Sequence, residues 1–185
     1  MCIRDSPYTP AQNSMISIFV LTVPAFAFAL WAKPGPVPPG GTVRQLVNFV
    51  LPASLITGVF LFLIYLVFIE TTGDWPYTQL ALTYATIATG LLLVVFVQPP
   101  SEFWVGGDAL SGDWRPTLLA VGLFVVLLAS PFVPILNSFF GLQPLRSPVD
   151  GAIIAGVVLI WIGALRLTWR HRLIDRYLNV NLSRL

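Results

Sequence analysis

The sequence predicts an all-α, polytopic bundle of five transmembrane helices, and three observations support this fold class. Of the 185 residues, 56% are hydrophobic and only 10% are charged, a balance far from that of soluble domains. Five apolar stretches each approach or exceed the roughly 20 helical residues that cross a bilayer. No ionisable side chain lies in the middle of a stretch, as expected where charges are costly. The stretches are 15–31, 46–69, 80–97, 118–139 and 153–169.

The first stretch, 15–31, is interrupted only by Pro24. The preceding residues lack the basic region, apolar segment and small-residue cleavage site of a signal peptide. The opening MCIRDS looks like translated vector or adaptor sequence, and we expect the natural chain to begin upstream. We therefore take 1–13 as a non-native or extracytoplasmic lead-in, 14–169 as the membrane domain and 170–185 as a basic cytoplasmic tail.

Proline, glycine and polar residues mark the connections between the later stretches, because they interrupt apolar helices. The predicted connections are 33–41, 70–77, 98–116 and 141–151. Three further prolines, Pro52, Pro131 and Pro134, fall within stretches. We interpret them as packing kinks, since neighbouring groups can satisfy the carbonyls that a proline leaves free.

Basic residues are distributed unevenly between the two sides of the predicted bundle. With the C-terminus inside, eight of the ten basic residues are cytoplasmic, and only Arg4 and Arg146 are outside. Because cytoplasmic loops carry an excess of Lys and Arg, this distribution predicts an N-out, C-in topology. The eight residues are Lys33, Arg44, Arg115, Arg166, Arg170, Arg172, Arg176 and Arg184.

The composition argues against several classes of function. A net charge of +2 gives no general electrostatic support for nucleic-acid binding. One Cys and one His cannot build a metal centre, and His171 lies between arginines, where contact with solvent or headgroups is expected. The sequence has no phosphate-binding loop, nucleophile elbow or paired carboxylates. We therefore assign no catalytic residue, cofactor site or metal ligand, and the chain alone is not expected to hydrolyse ATP.

Hydroxyl groups are the main polar side chains within the stretches. Ser17, Thr22 and the carbonyls freed by Pro24 are the candidates for an ion path, and ordinary helix packing is the alternative for them. A second set recurs at helical spacing and either bonds neighbouring helices, which we favour, or binds a solute. That set is Thr83, Tyr84, Thr86 and Thr89.

The segment 14–34, SMISIFVLTVPAFAFALWAKP, resembles the sixth membrane helix of P-type cation-transporting ATPases. The match lies in the Pro-Ala pair at 24–25 and the small and aromatic residues that follow it. Later segments are similar, in order and spacing, to helices seven to ten of that family. They are Arg44-Gln45-Leu46, the polar face at 83–86, the segment SPFVPILNSFFGLQPL at 130–145, and the final span that starts at Asp150.

This resemblance extends over residues 8–176 and implies the C-terminal membrane part of a bacterial cation pump in the cytoplasmic membrane. Ser17, Thr22 and Pro24 would then border the ion path, and the other spans would brace it. The implied partners are the lipid bilayer, the upstream membrane and cytoplasmic domains, where ATP and Mg would bind, and a monovalent or divalent cation. Helices six to ten of such a pump also run N-out to C-in.

The resemblance does not extend to a calcium-type ligand set. Calcium-pump-like members supply cation oxygens from an Asn, a Thr and an Asp before the proline, and the corresponding positions here are Ser17, Val20 and Leu21. A hard divalent cation prefers several charged oxygens, so this helix is not expected to supply that contribution. The alternative is a complete, small, non-enzymatic membrane subunit with an assembly or stabilising role. A channel or secondary carrier is disfavoured, because the sequence has neither intramembrane charges nor an inverted repeat.

Overall fold

The computed structural model describes residues 7–32, 42–97 and 114–170, and all regular secondary structure within these ranges is helical. In chain order the helices are α1 (Pro10–Ile16), a π-helical turn (Ser17–Thr22), α2 (Val23–Trp31), α3 (Thr42–Thr72), α4 (Trp75–Val97), α5 (Arg115–Ala129), a 3-10 turn (Ser130–Phe132), α6 (Pro134–Phe140) and α7 (Pro148–Arg170).

Five helical segments are long and apolar enough to cross a membrane, which confirms the predicted fold class. Their mean hydropathies range from 1.7 to 2.4. Such segments are typical of an integral membrane protein in contact with lipid. The segments are Pro10–Trp31, Phe49–Thr72, Trp75–Val97, Arg115–Phe132 and Pro148–Trp169.

The helices extend beyond the apolar stretches into their polar flanks. The first helix begins at Pro10, where Thr9 forms a capping box with Gln12. The connection predicted at 70–77 consists only of Gly73 and Asp74 in the structure, because α3 continues to Thr72 and α4 begins at Trp75. Gly73 has a φ of 60°, a left-handed conformation that glycine adopts without steric cost.

The predicted fourth span, 118–139, is not one continuous helix. α5 ends at Ala129, and Val133 is extended, with φ −93° and ψ 112°, before α6 begins at Pro134. The ring of a proline disfavours helical geometry in the residue before it, which explains the break at Val133. The interpretation of Pro134 as a kink is therefore wrong, since it begins a separate short helix. Pro52, in contrast, lies inside the uninterrupted helix α3.

α4 is the central helix of the bundle. Within its apolar window 72% of the residues are buried, against 17 to 22% in the other four spans. It contacts α1, the π-helical turn, α3, α5 and α7. Small buried residues on α4, including Ala81, Ala85 and Gly90, allow neighbouring backbones to approach closely.

The direction of the helices can be read from contacts along α4. The Tyr77 hydroxyl bonds Asp150 near the start of α7, and Phe96 packs on Trp161 farther along the same helix. α7 therefore runs parallel to α4. α5 runs antiparallel to both, because the segment that leads from it through α6 to α7 bonds α4 at Tyr77, where the Arg146 N–H donates to the Tyr77 hydroxyl. The two ends of the bundle are termed below the Tyr77 end and the Phe96 end.

Several predictions concern residues outside the described ranges. They are the lead-in up to residue 6, the loop 33–41, most of the connection 98–116 and the basic tail from His171 onwards. Half of the ten basic residues that predict the N-out, C-in topology lie in these segments, and this topology stays a prediction.

Candidate functional site

The proposed ion-path residues lie in and beside the π-helical turn of the first span. Pro24 has no N–H to donate, and its ring would clash with the carbonyl four residues earlier in a regular α-helix. The helix widens ahead of it, and the Val23 N–H donates to the Ile18 carbonyl, five residues back. Ser17 and Thr22 are the first and last residues of this turn.

Both hydroxyls of this turn bond the backbone of their own helix. Ser17 Oγ donates to the Asn13 carbonyl at 3.0 Å, and Thr22 Oγ1 donates to the Ser17 carbonyl at 3.1 Å. Pro24 is buried, Ser17 is half-buried and Thr22 is exposed on the surface of the bundle. None of the three lines either of the cavities described below. Their place in an ion path stays a prediction.

The π-helical turn packs directly on α4 at Gly90. A Cβ atom added to Gly90 would lie 2.5 Å from Val20 Cγ1 and 2.7 Å from Val20 Cγ2. Met15 and Phe19, from the same span, are buried in the apolar core that α4 shares. Glycine at position 90 therefore allows the first span to seat against the central helix.

Tyr8 joins the residues before α1 to the middle of α4. Its hydroxyl oxygen lies 2.7 Å from Thr86 Oγ1. Because Thr86 Oγ1 donates to the Leu82 carbonyl, the Tyr8 hydroxyl is the donor in this pair. Burial raises the pKa of the Tyr8 phenol above its ordinary value, and the hydrogen bond to Thr86 offsets part of that rise. The phenol therefore remains protonated at neutral pH.

Two other hydroxyl residues of α4 have hydrogen-bond partners within their own helix. Thr83 Oγ1 and Thr89 Oγ1 donate to carbonyls four residues earlier in α4, at 2.8 and 2.9 Å. The expectation that Thr83 and Thr89 bond neighbouring helices is therefore wrong, because a threonine in a helix can donate to a carbonyl of its own backbone. Tyr84 does bond outside its helix, donating to the Gln143 carbonyl at 3.1 Å.

A polar cluster at the Tyr77 end joins α4 to the loop before α7. Tyr77 Oη donates to Asp150 Oδ2 at 2.6 Å and accepts the Arg146 N–H at 3.0 Å. The Arg146 guanidinium lies 4.5 Å from the centre of the Tyr77 ring and pairs with Asp74 at 2.6 Å. Asp74 and Tyr77 are separated from Arg146 and Asp150 by about seventy positions in the chain, so no local sequence pattern indicates the cluster.

We expect Tyr77→Phe to lower the free energy of unfolding by about 1–3 kcal/mol. The change leaves the Asp150 carboxylate and the Arg146 N–H without the hydroxyl that both use. The measurement is an SDS titration of the protein in detergent, followed by tryptophan fluorescence. Tyr65→Phe is the matched control, because it keeps the ring contact with Trp75. Equal stability of the two variants would show that the cluster does not hold the loop.

An apolar groove of about 760 Å³ lies between α5 and α7, with α4 as its floor. Its walls include Ala120 and Phe124 of α5 and Ala155 and Leu159 of α7. Thr117 also lines the groove, and its buried Oγ1 has no hydrogen-bond partner among the described residues. This hydroxyl is absent from the sequence-based candidates, because nothing in the local pattern distinguishes it from a packing threonine.

A second cavity, of about 270 Å³, lies between the residues before α1 and the facing helices α3 and α4. Tyr8, Tyr65, Trp75 and Leu82 are among its lining residues. The indole Nε1 of Trp75 is buried without a hydrogen-bond partner in the described part of the chain.

Comparison with protein-family models, curated proteins and solved structures gave no match. No relative therefore assigns a role to these residues. Within 7–32, 42–97 and 114–170, no three acidic, His or Cys side chains group as a metal site would require. The polar groups described above are neutral hydroxyls, backbone carbonyls and the charged cluster at the Tyr77 end.

Proposed function

We propose that this chain is the membrane-embedded C-terminal part of a P-type, ATP-driven cation pump. The first span would border the ion path, and the other four spans would brace it. The observation that carries the proposal is the π-helical turn Ser17–Thr22 directly before Pro24, in the span that resembles the sixth helix of such pumps.

The irregular turn supports a place beside an ion path for a physical reason. π-helical turns inside α-helices occur frequently at functional sites, because they redirect backbone and side-chain groups. Ser17 and Thr22 add neutral oxygens at the two ends of this turn. A cation bound there would need any carboxylate ligand from a span upstream of this chain.

The remaining spans have the features expected of a support. α4 is enclosed by its neighbours, and Trp161 Nε1 of α7 donates to Thr57 Oγ1 of α3 at 3.1 Å. The cluster around Tyr77 ties α4 to the start of α7. Such contacts hold helices together while upstream, ATP- and Mg-binding domains would move. The pump would lie in a bacterial cytoplasmic membrane, N-out and C-in for this chain.

The first test is to read the coding DNA upstream of Tyr8. A frame that continues into an Asp-Lys-Thr-Gly phosphorylation motif and four or five further spans would support the pump. Stop codons and a ribosome-binding site directly before the start would overturn it. The working hypothesis would then be a complete, non-enzymatic membrane subunit with an assembly or stabilising role.

In the full-length protein, Pro24→Ala is expected to lower cation-dependent ATP hydrolysis by about 10- to 100-fold. Alanine restores an N–H at this position, so the turn can return to α-helical geometry and displace Ser17 and Thr22. The measurement is the cation dependence of ATP hydrolysis in reconstituted vesicles. Pro52→Ala in α3 is the matched control and should leave activity nearly unchanged. Equal activity of the two variants would contradict an ion path at this turn.

A further inference from the structure

The groove between α5 and α7 has about the length of an acyl chain. Its α7 wall extends from Gly151 to Ile162, roughly 17 Å at 1.5 Å per residue. One leaflet of the hydrocarbon core is about 15 Å thick. The flanking helices expose Phe124 and Leu159, so the groove lies on the face of the bundle that lipid contacts.

The chemistry of the groove favours an acyl chain over water. The walls are almost entirely apolar, so water would find few partners there. An acyl chain is apolar along its length and flexible enough to follow these walls.

Polar and basic groups lie at one end of this apolar groove. Thr117, in the first turn of α5, is at the Phe96 end, where its buried Oγ1 lacks a partner among the residues described. Arg115 is the first residue of α5. Arg166 lies one helical turn beyond Ile162, on the same face of α7. Since α5 and α7 are antiparallel, both arginines belong to the same end of the bundle as Thr117.

We infer that this groove is a binding site for an anionic phospholipid. An acyl chain lies between α5 and α7, the Thr117 hydroxyl donates to an ester carbonyl of the glycerol backbone, and the two arginines attract the phosphate. Positive charge near the membrane surface attracts anionic lipid at about 1 kcal/mol per residue, which corresponds to about fivefold in occupancy. The inference is independent of the proposed pump.

The test uses the chain in nanodiscs that hold equal amounts of phosphatidylglycerol and phosphatidylcholine. One lipid at a time carries a photoactivatable diazirine on an acyl chain, and mass spectrometry maps the labelled peptides. We expect phosphatidylglycerol to label α5 and α7 along the groove. Ala155→Phe fills the groove and should lower this labelling at least fivefold. Ala152→Phe, at an exposed position of α7 outside the groove lining, is the matched control.

The polar end of the site is tested separately, with variants that leave the groove open. Thr117→Val, nearly isosteric, should lower labelling about threefold, the effect of losing one hydrogen bond within a membrane. Arg115→Gln and Arg166→Gln should each lower it about fivefold and reduce the preference for phosphatidylglycerol.

Three results would overturn the inference. The first is equal labelling of the Ala155→Phe and Ala152→Phe variants. The second is equal labelling by the two headgroups in the unmodified chain, which excludes anionic selectivity. The third is cross-linking between two copies through α5 and α7, which would assign the groove to a second protein chain.

Discussion

Gly90→Ala is expected to lower the free energy of unfolding by about 1–3 kcal/mol, although it adds only one methyl group. The added Cβ would lie within 2.7 Å of both methyl carbons of Val20. A β-branched side chain on a helix has little rotational freedom, so Val20 cannot move aside without moving its backbone. The first span would therefore separate from α4.

The second variant, Val20→Ala, makes this expectation specific. It removes both methyl groups that the new Cβ would meet, so Gly90→Ala should be far less harmful in the Val20→Ala background. SDS titration of the four proteins in detergent gives the coupling energy. Gly156→Ala in α7 is the control, since a Cβ there meets nothing within 4 Å. Additive effects of the two changes would refute the close contact.

Trp161→Ala should have a larger effect, a loss of about 3–5 kcal/mol in the free energy of unfolding. Trp161 is 0% exposed and packs with Phe96 and Leu165 in the core near the Phe96 end. Its removal opens a cavity between α3, α4 and α7 and leaves the Thr57 hydroxyl without the indole donor.

Two further variants separate packing from hydrogen bonding at this position. Trp161→Phe keeps most of the aromatic volume and should cost about 0.6 kcal/mol beyond any packing loss, the average for a hydrogen bond between membrane helices. Trp114→Ala is the surface control, because this tryptophan is 61% exposed. Near-UV circular dichroism during SDS titration measures the free energy of unfolding of all three variants. A Trp161→Ala variant as stable as Trp114→Ala would contradict the packing described here.

The number of spans could be predicted from sequence because the hydrocarbon core sets a minimum length for an apolar helix. Which of the spans is the most buried could not be predicted from sequence. The apolar stretch of α4 looks like the other four in composition, yet α4 occupies the centre. Every span is apolar, whether it faces lipid or protein, so hydropathy alone cannot distinguish the two environments. Hydropathy does not indicate the helix break at Val133 either, since apolar residues continue through it.

The candidate site, too, could be predicted from sequence only in part. Pro24 drew attention to the first span because a proline within a helix always disturbs its hydrogen bonds. The fit of Val20 against Gly90, in contrast, depends on a helix about seventy residues away. Thr117 gave no sequence signal, because an unpartnered hydroxyl is visible only when its surroundings are known.

The enclosed position of α4 has a consequence for how this sequence can drift during evolution. Substitutions on the outer faces of α3 or α5 exchange one lipid-facing apolar residue for another, and selection should tolerate many of them. Each change on α4 must suit several neighbours at once. When homologous chains are compared, α4 should be the span that diverges most slowly, with position 90 its least variable site.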